Sequence, residues 1–255
     1  MLRAEPEQVR GLQSAVTACL KRMERGSSRR QSPSGWSIAA YDPNELLACF
    51  ASLRLRPGFR LAAYQFTEGG NGNGLVFAMP DGRSIPKPGR MKWDLAPTGA
   101  GIVVSSDALP SSADTNIGLY LDGDGSPISF FEASLFQREA TELGAQWHGC
   151  TWSTHAILIA PPETHQGIGR PWRAAAVLVP NAMQPPAEWE WVEERPDDWR
   201  PVVIQQPGVP TKVEFYTHSA LHWVGVYRHR DTYTAGYRSE TEQTVIARGG
   251  EGFMF

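Results

Sequence analysis

Apolar residues recur at helical spacing in three segments of the chain. Within each segment they lie three or four residues apart, which places them on one face of a helix and leaves the other face polar. The helices predicted in this way cover residues 6–25, 43–54 and 130–143. Local signals support two of the helix ends. Asp42-Pro43 supplies an N-cap followed by Pro at the start of the second helix, and Gly144 is a typical stop signal after the third.

Alternation of apolar and polar residues predicts strands through most of the remaining chain. The strongest signals are residues 60–67 and 75–79, an apolar run at 155–160, and an antiparallel meander over 212–255. Within the meander, a period of two places Phe215 and Tyr227 on the face that packs on the core. The same period places Tyr216, His218 and Arg228 on the opposite face.

Together these elements predict an α+β fold. We expect a largely antiparallel or mixed sheet of about eight strands with two or three packed helices. Residues 1–30 are expected to form an N-terminal helical extension, which either docks on the core or lies against a partner. A polar linker joins it to a single α+β domain over residues 36–255.

A hairpin is predicted at residues 119–131. The residues Asp122-Gly123-Asp124-Gly125 are typical of a tight turn, and the chain resumes with Ile128, Phe130 and Phe131 as a second strand. The alternative, a calcium loop, requires glycine at position 6 and Glu at position 12. Counted from Asp122, those positions hold Pro127 and Ala133, so the spacing argues against calcium.

The glycine-rich residues 68–74 are open to two interpretations. They connect two predicted strands, and such a Gly-Asn segment can turn several backbone N–H groups toward an anion. Phosphate-binding loops of this kind, however, run directly into a helix, whereas residues 75–79 are strand-like. A mobile hairpin loop is therefore the favoured expectation.

Composition and charge exclude two classes of partner. The 255 residues are 41% apolar and 20% charged, as is usual for a globular protein. The net charge of −3 gives no general attraction to nucleic acid or to an anionic membrane surface. No stretch approaches the 18 consecutive apolar residues that a membrane-spanning helix needs, so neither nucleic acid nor membrane is an expected partner.

The cysteines indicate a reducing compartment. Cys19, Cys49 and Cys150 cannot all pair within one chain, and none lies in a C-x-x-C metal motif. The first residues contain no apolar leader segment. We therefore expect a cytoplasmic protein with free thiols.

One local pair of residues has the composition of a catalytic site. His148 and Cys150 lie two residues apart at the start of a predicted strand, on one face and about 7 Å apart. They can form a thiolate–imidazole pair, with Glu139 or Glu142 of the preceding helix as the orienting carboxylate. The alternative is a buried structural cysteine beside a surface histidine, which we favour because cysteine is among the most buried residues.

A second histidine pair does not indicate a metal. His218 and His222 have helical spacing for a shared ion, but their neighbours are strand-forming residues. Four residues of strand span about 13 Å, which is too far for one ion. We expect no metal site and no cofactor.

Two surfaces are candidates for binding a protein partner. The first is the acidic tryptophan strip, residues 188–199, which contains Trp189, Trp191 and Trp199 and in which the first two tryptophans alternate with Glu188 and Glu190. The favoured interpretation of this strip is an edge strand whose charges prevent pairing with other chains. The second is the basic N-terminal helix, since residues 1–30 carry seven Lys or Arg against three Glu. Such a segment is more often a solvated surface than a binding arm, and that is the favoured interpretation.

The sequence therefore supports two hypotheses of function. The leading one is a non-catalytic binding or protein-interaction protein that uses the acidic tryptophan strip or the basic helix. The alternative is a small hydrolase or transferase that uses Cys150 and His148. The common enzyme motifs, such as G-x-S-x-G and the P-loop, are absent from the sequence.

Overall fold

The computed structural model describes residues 1–27, 35–68, 71–88, 94–95, 102–103, 109–110, 112–146, 151–162, 167–169, 188–221 and 223–251. Its helices are α1 (Pro6–Ser27), α2 (Pro43–Leu47) and α3 (Pro127–Thr141). The strands of its main sheet are β1 (Leu2–Arg3), β9 (Ala156–Leu158), β10 (Gly167–Gly169), β11 (Glu190–Trp191), β12 (Val202–Gln206), β13 (Val209–Ser219), β14 (Trp223–Ala235) and β15 (Arg238–Glu251). Smaller sheets contain β2 (Gly35–Ile38), β3 (Leu53–Leu55), β4 (Phe59–Glu68), β5 (Asn71–Pro80), β6 (Asp94–Leu95), β7 (Ile102–Val103) and β8 (Leu121–Gly123).

The main sheet has eight strands, and every strand pair in the described residues is antiparallel. Its strands follow the order β1-β12-β13-β14-β15-β11, with β9 pairing both β13 and β10. The meander β13-β14-β15 is the longest part, as its alternating pattern predicts. The α+β class and the largely antiparallel sheet are thereby confirmed.

The two faces of the main sheet have different neighbours. One face, here called the helix face, packs on α3: Phe131 meets Phe215, and Tyr233 donates to the carbonyl of Phe130 at 3.1 Å. The other, here called the open face, carries Tyr216 and Arg228. Alternation along each strand assigns neighbouring residues to opposite faces, so the two faces can carry independent chemistry.

Helix α1 docks on the core. Val9, Val16 and Cys19 have no exposed surface and belong to the same hydrophobic cluster as α3. The residues before α1 are also bound to the sheet, since β1 pairs with β12 and the Ala4 N–H donates to the carbonyl oxygen of Pro201 at 2.8 Å. Of the two arrangements expected for the N-terminal helix, the structure thus shows docking.

The hairpin predicted at residues 119–131 is wrong. β8 pairs with β3 instead, and Ile128, Phe130 and Phe131 lie in α3. Ser126 is the N-cap of α3 and Pro127 is its first residue, which is the usual start of a helix. Helix α2 is also shorter than the predicted 43–54, because the chain turns after Leu47 and enters β3.

The long loop expected at residues 68–74 is also wrong. β4 and β5 stay paired as far as Glu68 and Asn71, and residues 69–70 lie outside the described part. The glycines of β5 allow another segment of the chain to approach the strand closely, and they do not form a loop. A Cβ at Gly74 would lie 1.6 Å from the carbonyl oxygen of Leu143, so another backbone passes directly over the strand.

Among the described residues, no helix has the length and apolarity needed to cross a lipid bilayer. In that same part of the chain, no three His, Cys, Asp or Glu residues are grouped as metal ligands would be. His218 lies in β13, opposite Val226 of β14, and His222 lies outside the described residues.

Candidate functional site

The acidic tryptophan strip lies across the open face of the main sheet. It begins at the sheet edge, where β11 pairs with β15 through Glu190 and Arg248. It then crosses β14 and ends above β13, before the chain enters β12. The prediction of an edge strand is confirmed for Glu190–Trp191.

The three tryptophans of the strip point toward the sheet. Trp199 is only 3% exposed and packs edge-on against Tyr216, with ring centroids 5.4 Å apart. Trp191 lies 6.1 Å from Trp199, and Trp189 meets His218 edge-on at 5.8 Å. All three belong to one small hydrophobic cluster, in which Trp189 and Trp191 are partly buried. The indoles therefore anchor the strip to the sheet, since large aromatic rings gain most from burial.

Ion pairs fix the strip at two further points. Arg228 of β14 donates from both terminal nitrogens to the carboxylate of Glu193. At the other end, Asp198 accepts from Arg200 at 2.8 Å and pairs with Arg3 at 3.2 Å. Hydrogen bonding from Arg200, with a smaller contribution from Arg3, lowers the pKa of Asp198 to about 2. The backbone of the strip is thus held at both ends and along its middle.

Four carboxylates of the strip take no part in these anchors. Glu188, Glu190, Glu194 and Asp197 are all exposed. Within the described part of the chain none of them has a hydrogen-bond or ion-pair partner, unlike Glu193 and Asp198. Their charges are therefore unneutralised, on a backbone that is already ordered.

A groove of about 640 Å³ continues the open face beyond the strip. Its central row of charges crosses three strands, because Glu214, Arg230 and Glu242 are register partners. Arg230 donates to Glu214 at 2.6 Å, and Tyr216 of the strip's cluster donates to the other oxygen of Glu214 at 2.8 Å. Lys212 and Glu240 line the neighbouring row, with Val202 and Ile204 at one end. The groove and the strip therefore form one continuous surface.

No protein-family model, curated protein or solved structure matches the chain. The candidate site therefore has to be judged from its own geometry and charge.

The two candidate catalytic residues, Cys150 and His148, lie outside the described residues. The segment that follows them is described, and it engages both carboxylates proposed as orienting groups. Glu142 accepts from the backbone N–H groups of residues 151–153, including Ser153 at 2.8 Å. Glu139 accepts from the indole nitrogen of Trp152 at 3.1 Å. The catalytic pair itself stays a prediction.

A buried polar cluster lies on the helix face, and the sequence analysis missed it. The hydroxyl oxygen of Thr217 is 2.7 Å from Nδ1 of His155 and 2.8 Å from Nε2 of His229. Phe215 stacks on His229 at 4.8 Å and Trp152 stacks on His155 at 5.6 Å. Because the hydroxyl has one proton, it donates to one imidazole and accepts from the other.

An ion pair completes this cluster. Arg138 of α3 donates to both oxygens of Asp231, at 2.6 and 2.7 Å, and Asp231 is fully buried. The guanidinium also lies 5.0 Å from the centre of the Phe215 ring. Alternation along β14 places His229, Asp231 and Tyr233 on the same face of the sheet as Tyr227. This two-residue period is the signal in the sequence that could have identified the cluster.

The cluster has the properties of a structural network rather than a catalytic one. Burial, with a further effect of the Arg138 charge, lowers the pKa of His155 to about 3 and that of His229 well below its usual value. Such an imidazole is a weak base at neutral pH, whereas general bases work best with a pKa near the working pH. The Thr217 side chain has no exposed surface, so a substrate cannot reach its hydroxyl.

Acid is expected to destabilise the protein through these histidines. On the open face, burial also lowers the pKa of His218 to about 4, so the folded protein binds fewer protons than the unfolded chain below pH 6.5. Stability is unaffected above about pH 7 and falls as the pH drops toward 4. From pH 7 to pH 5 we expect His218 alone to remove about 2 kcal/mol from the free energy of unfolding, measured by urea denaturation.

The matched variant for this measurement is His218→Gln, which removes one titrating group from the open face. We expect it to reduce the loss between the two pH values by about 2 kcal/mol. An unchanged pH dependence would show that His218 titrates normally in the folded protein.

Proposed function

We propose that this protein is a non-catalytic binding protein that recognises a basic segment of a protein partner. The partner binds on the open face, along the outer side of the acidic tryptophan strip and into the adjoining groove. Lysine or arginine side chains of the partner pair with the exposed carboxylates of the strip.

The observation that carries this proposal is the division of the strip into two sides. On its inner side, the tryptophans pack on the sheet and hold the strip in place. Its outer side presents four exposed carboxylates without partners, those of Glu188, Glu190, Glu194 and Asp197. Because the backbone is already fixed, a partner does not have to order it. Preorganisation of this kind reduces the entropic cost of binding.

The charge of the groove agrees with a basic partner. The charge of Arg230 is neutralised by Glu214. The remaining charges along the groove are one positive, on Lys212, and two negative, on Glu240 and Glu242. The combined surface is therefore negative, and it repels the phosphates of nucleic acids and of anionic lipids. Apolar contacts are available from Val192, which is 49% exposed at the middle of the strip.

Binding of an octalysine peptide tests the proposal directly. We expect saturable binding by isothermal titration calorimetry at low salt, with affinity that falls as salt is added, since exposed charges are screened. The variant E190Q/E194Q should weaken binding about twofold to thirtyfold, because it removes two exposed ion pairs that each contribute about 0.2–1 kcal/mol.

The matched control is E7Q/D81N, which removes the same charge at two exposed positions away from the strip. It should leave octalysine binding nearly unchanged. If both variants weaken binding equally, the peptide senses only net charge and the strip is not the binding surface. Absence of any binding to the unaltered protein would also refute the proposal.

We place the protein in the cytoplasm as part of this proposal. The support is that Cys19 and Cys49 are free thiols in the folded chain, which is the usual state of cysteines in a reducing compartment.

A further inference from the structure

The fold brings together two cysteines that are far apart in the sequence. Cys19 lies on α1 and Cys49 follows α2, and both thiols point to the same carbonyl oxygen, that of Glu45. The distances from that oxygen are 3.3 Å for Cys19 and 3.5 Å for Cys49. Cys49 also lies 3.7 Å from the carbonyl of Ala15, so its sulfur faces α1. Both sulfurs therefore lie at the contact between the helices, each within 3.5 Å of the same oxygen.

From this geometry we propose that Cys19 and Cys49 are a redox-sensitive dithiol, which a disulfide oxidant such as oxidised glutathione converts to an intramolecular disulfide. The bond joins α1 to α2 across their interface. It is a modification site separate from the acidic tryptophan strip and does not depend on the proposed partner.

The two thiols have different roles in this reaction. Cys49 is partly exposed and reaches the oxidant, whereas Cys19 has no exposed surface. Burial, with a further effect of Cys49, raises the pKa of Cys19 to about 12, and nearby Arg22 acts in the opposite direction. Cys19 therefore reacts second. Because it lies inside the interface, it reacts only with the neighbouring Cys49 sulfur.

The exchange takes place in two balanced steps. The Cys49 thiolate attacks one sulfur of oxidised glutathione and forms a mixed disulfide with it. The other half leaves as a glutathione thiolate, which takes up the proton that Cys49 lost. Cys19 then loses its proton and attacks the Cys49 sulfur, which forms the protein disulfide and releases the second glutathione with that proton. Two protein thiols are oxidised and one glutathione disulfide is reduced.

The bond closes the chain between residues 19 and 49, including residues 28–34, which lie outside the described part. Because such a closure restricts the unfolded chain, we expect the oxidised protein to unfold at a midpoint about 5–10 °C higher. Dithiothreitol should reverse the shift.

The test uses the full chain with Cys150 replaced by Ser, so that only this pair remains. After native treatment with oxidised glutathione, mass spectrometry should show loss of two hydrogen masses, no retained glutathione, and a peptide that joins residues 19 and 49. The variant C19S should stop at a glutathione adduct on Cys49, and C49S should not react. These outcomes together support the proposal.

Other outcomes overturn it. Retention of glutathione on Cys49 in the C150S protein would show that Cys19 cannot reach it. A crosslink that forms only in denaturant would show that the folded interface prevents the exchange. Circular dichroism of C19S and C49S verifies that both variants are folded, and the C150S protein tests the chemistry independently of them.

Discussion

Replacing Asp231 by alanine is expected to lower the free energy of unfolding by about 3–5 kcal/mol, because it leaves the charge of Arg138 without its partner in the interior. Arg138 is only 15% exposed and makes both of its carboxylate bonds to Asp231. Urea denaturation monitored by tryptophan fluorescence measures the loss.

A surface pair of the same type provides the control. Arg54 donates two hydrogen bonds to Asp122, but the side chains are 66% and 41% exposed. Asp122→Ala should therefore have a far smaller effect than Asp231→Ala, since exposed ion pairs contribute little.

The double variant R138L/D231L separates loss of the pair from the cost of the stranded charge. It should be more stable than Asp231→Ala alone, because neither residue leaves a buried charge behind. If the double variant loses as much as the single one, the cost arises from packing rather than from the unpaired guanidinium.

Replacing Gly74 by alanine is expected to cost at least about 4 kcal/mol, or to prevent folding. The new methyl group would lie 1.6 Å from the Leu143 carbonyl oxygen and 2.7 Å from the Tyr41 hydroxyl. Neither group can move freely, since Tyr41 donates to that same carbonyl at 2.8 Å. Soluble yield and the midpoint of thermal unfolding measure the effect.

Gly11→Ala is the matched control for this change. Gly11 is exposed in the interior of α1, and a Cβ there would meet nothing within 4 Å. Its replacement should stabilise the protein by up to about 1 kcal/mol, because alanine favours the helix. A mild effect of Gly74→Ala would show that the strand and the Leu143 backbone separate easily.

The sequence predicted those elements whose signal is local and periodic. Helix α1 and the meander β13-β14-β15 extend over many residues, so their patterns identify them despite the surroundings. The prediction of a hairpin at 119–131 is wrong because Ser126-Pro127, directly after the turn-forming residues, starts a helix rather than a strand. The glycines at 72 and 74 resemble a loop in the sequence because the residues that they accommodate, Gln146 and Leu143, lie far away along the chain.

The candidate site was predicted only in part. The composition of the strip and its edge position follow from the sequence, but the direction of its indoles depends on Tyr216 and His218 beneath it. A pattern of alternating Trp and Glu is compatible with either side facing outward. The polar cluster around Thr217 was missed because buried polar residues follow the same period as exposed ones, and only their tertiary partners distinguish them.

The pairing of β1 with β12 has a consequence for how the chain folds during synthesis. Leu2 lies opposite Val203, so β1 is synthesised long before the strand with which it pairs. Long-range antiparallel pairing is slow because distant segments must meet before contacts stabilise them. Strand β1 therefore leaves the ribosome without its partner, and this edge of the sheet closes only after translation has passed β12. We expect the nascent chain to depend on chaperones during this interval.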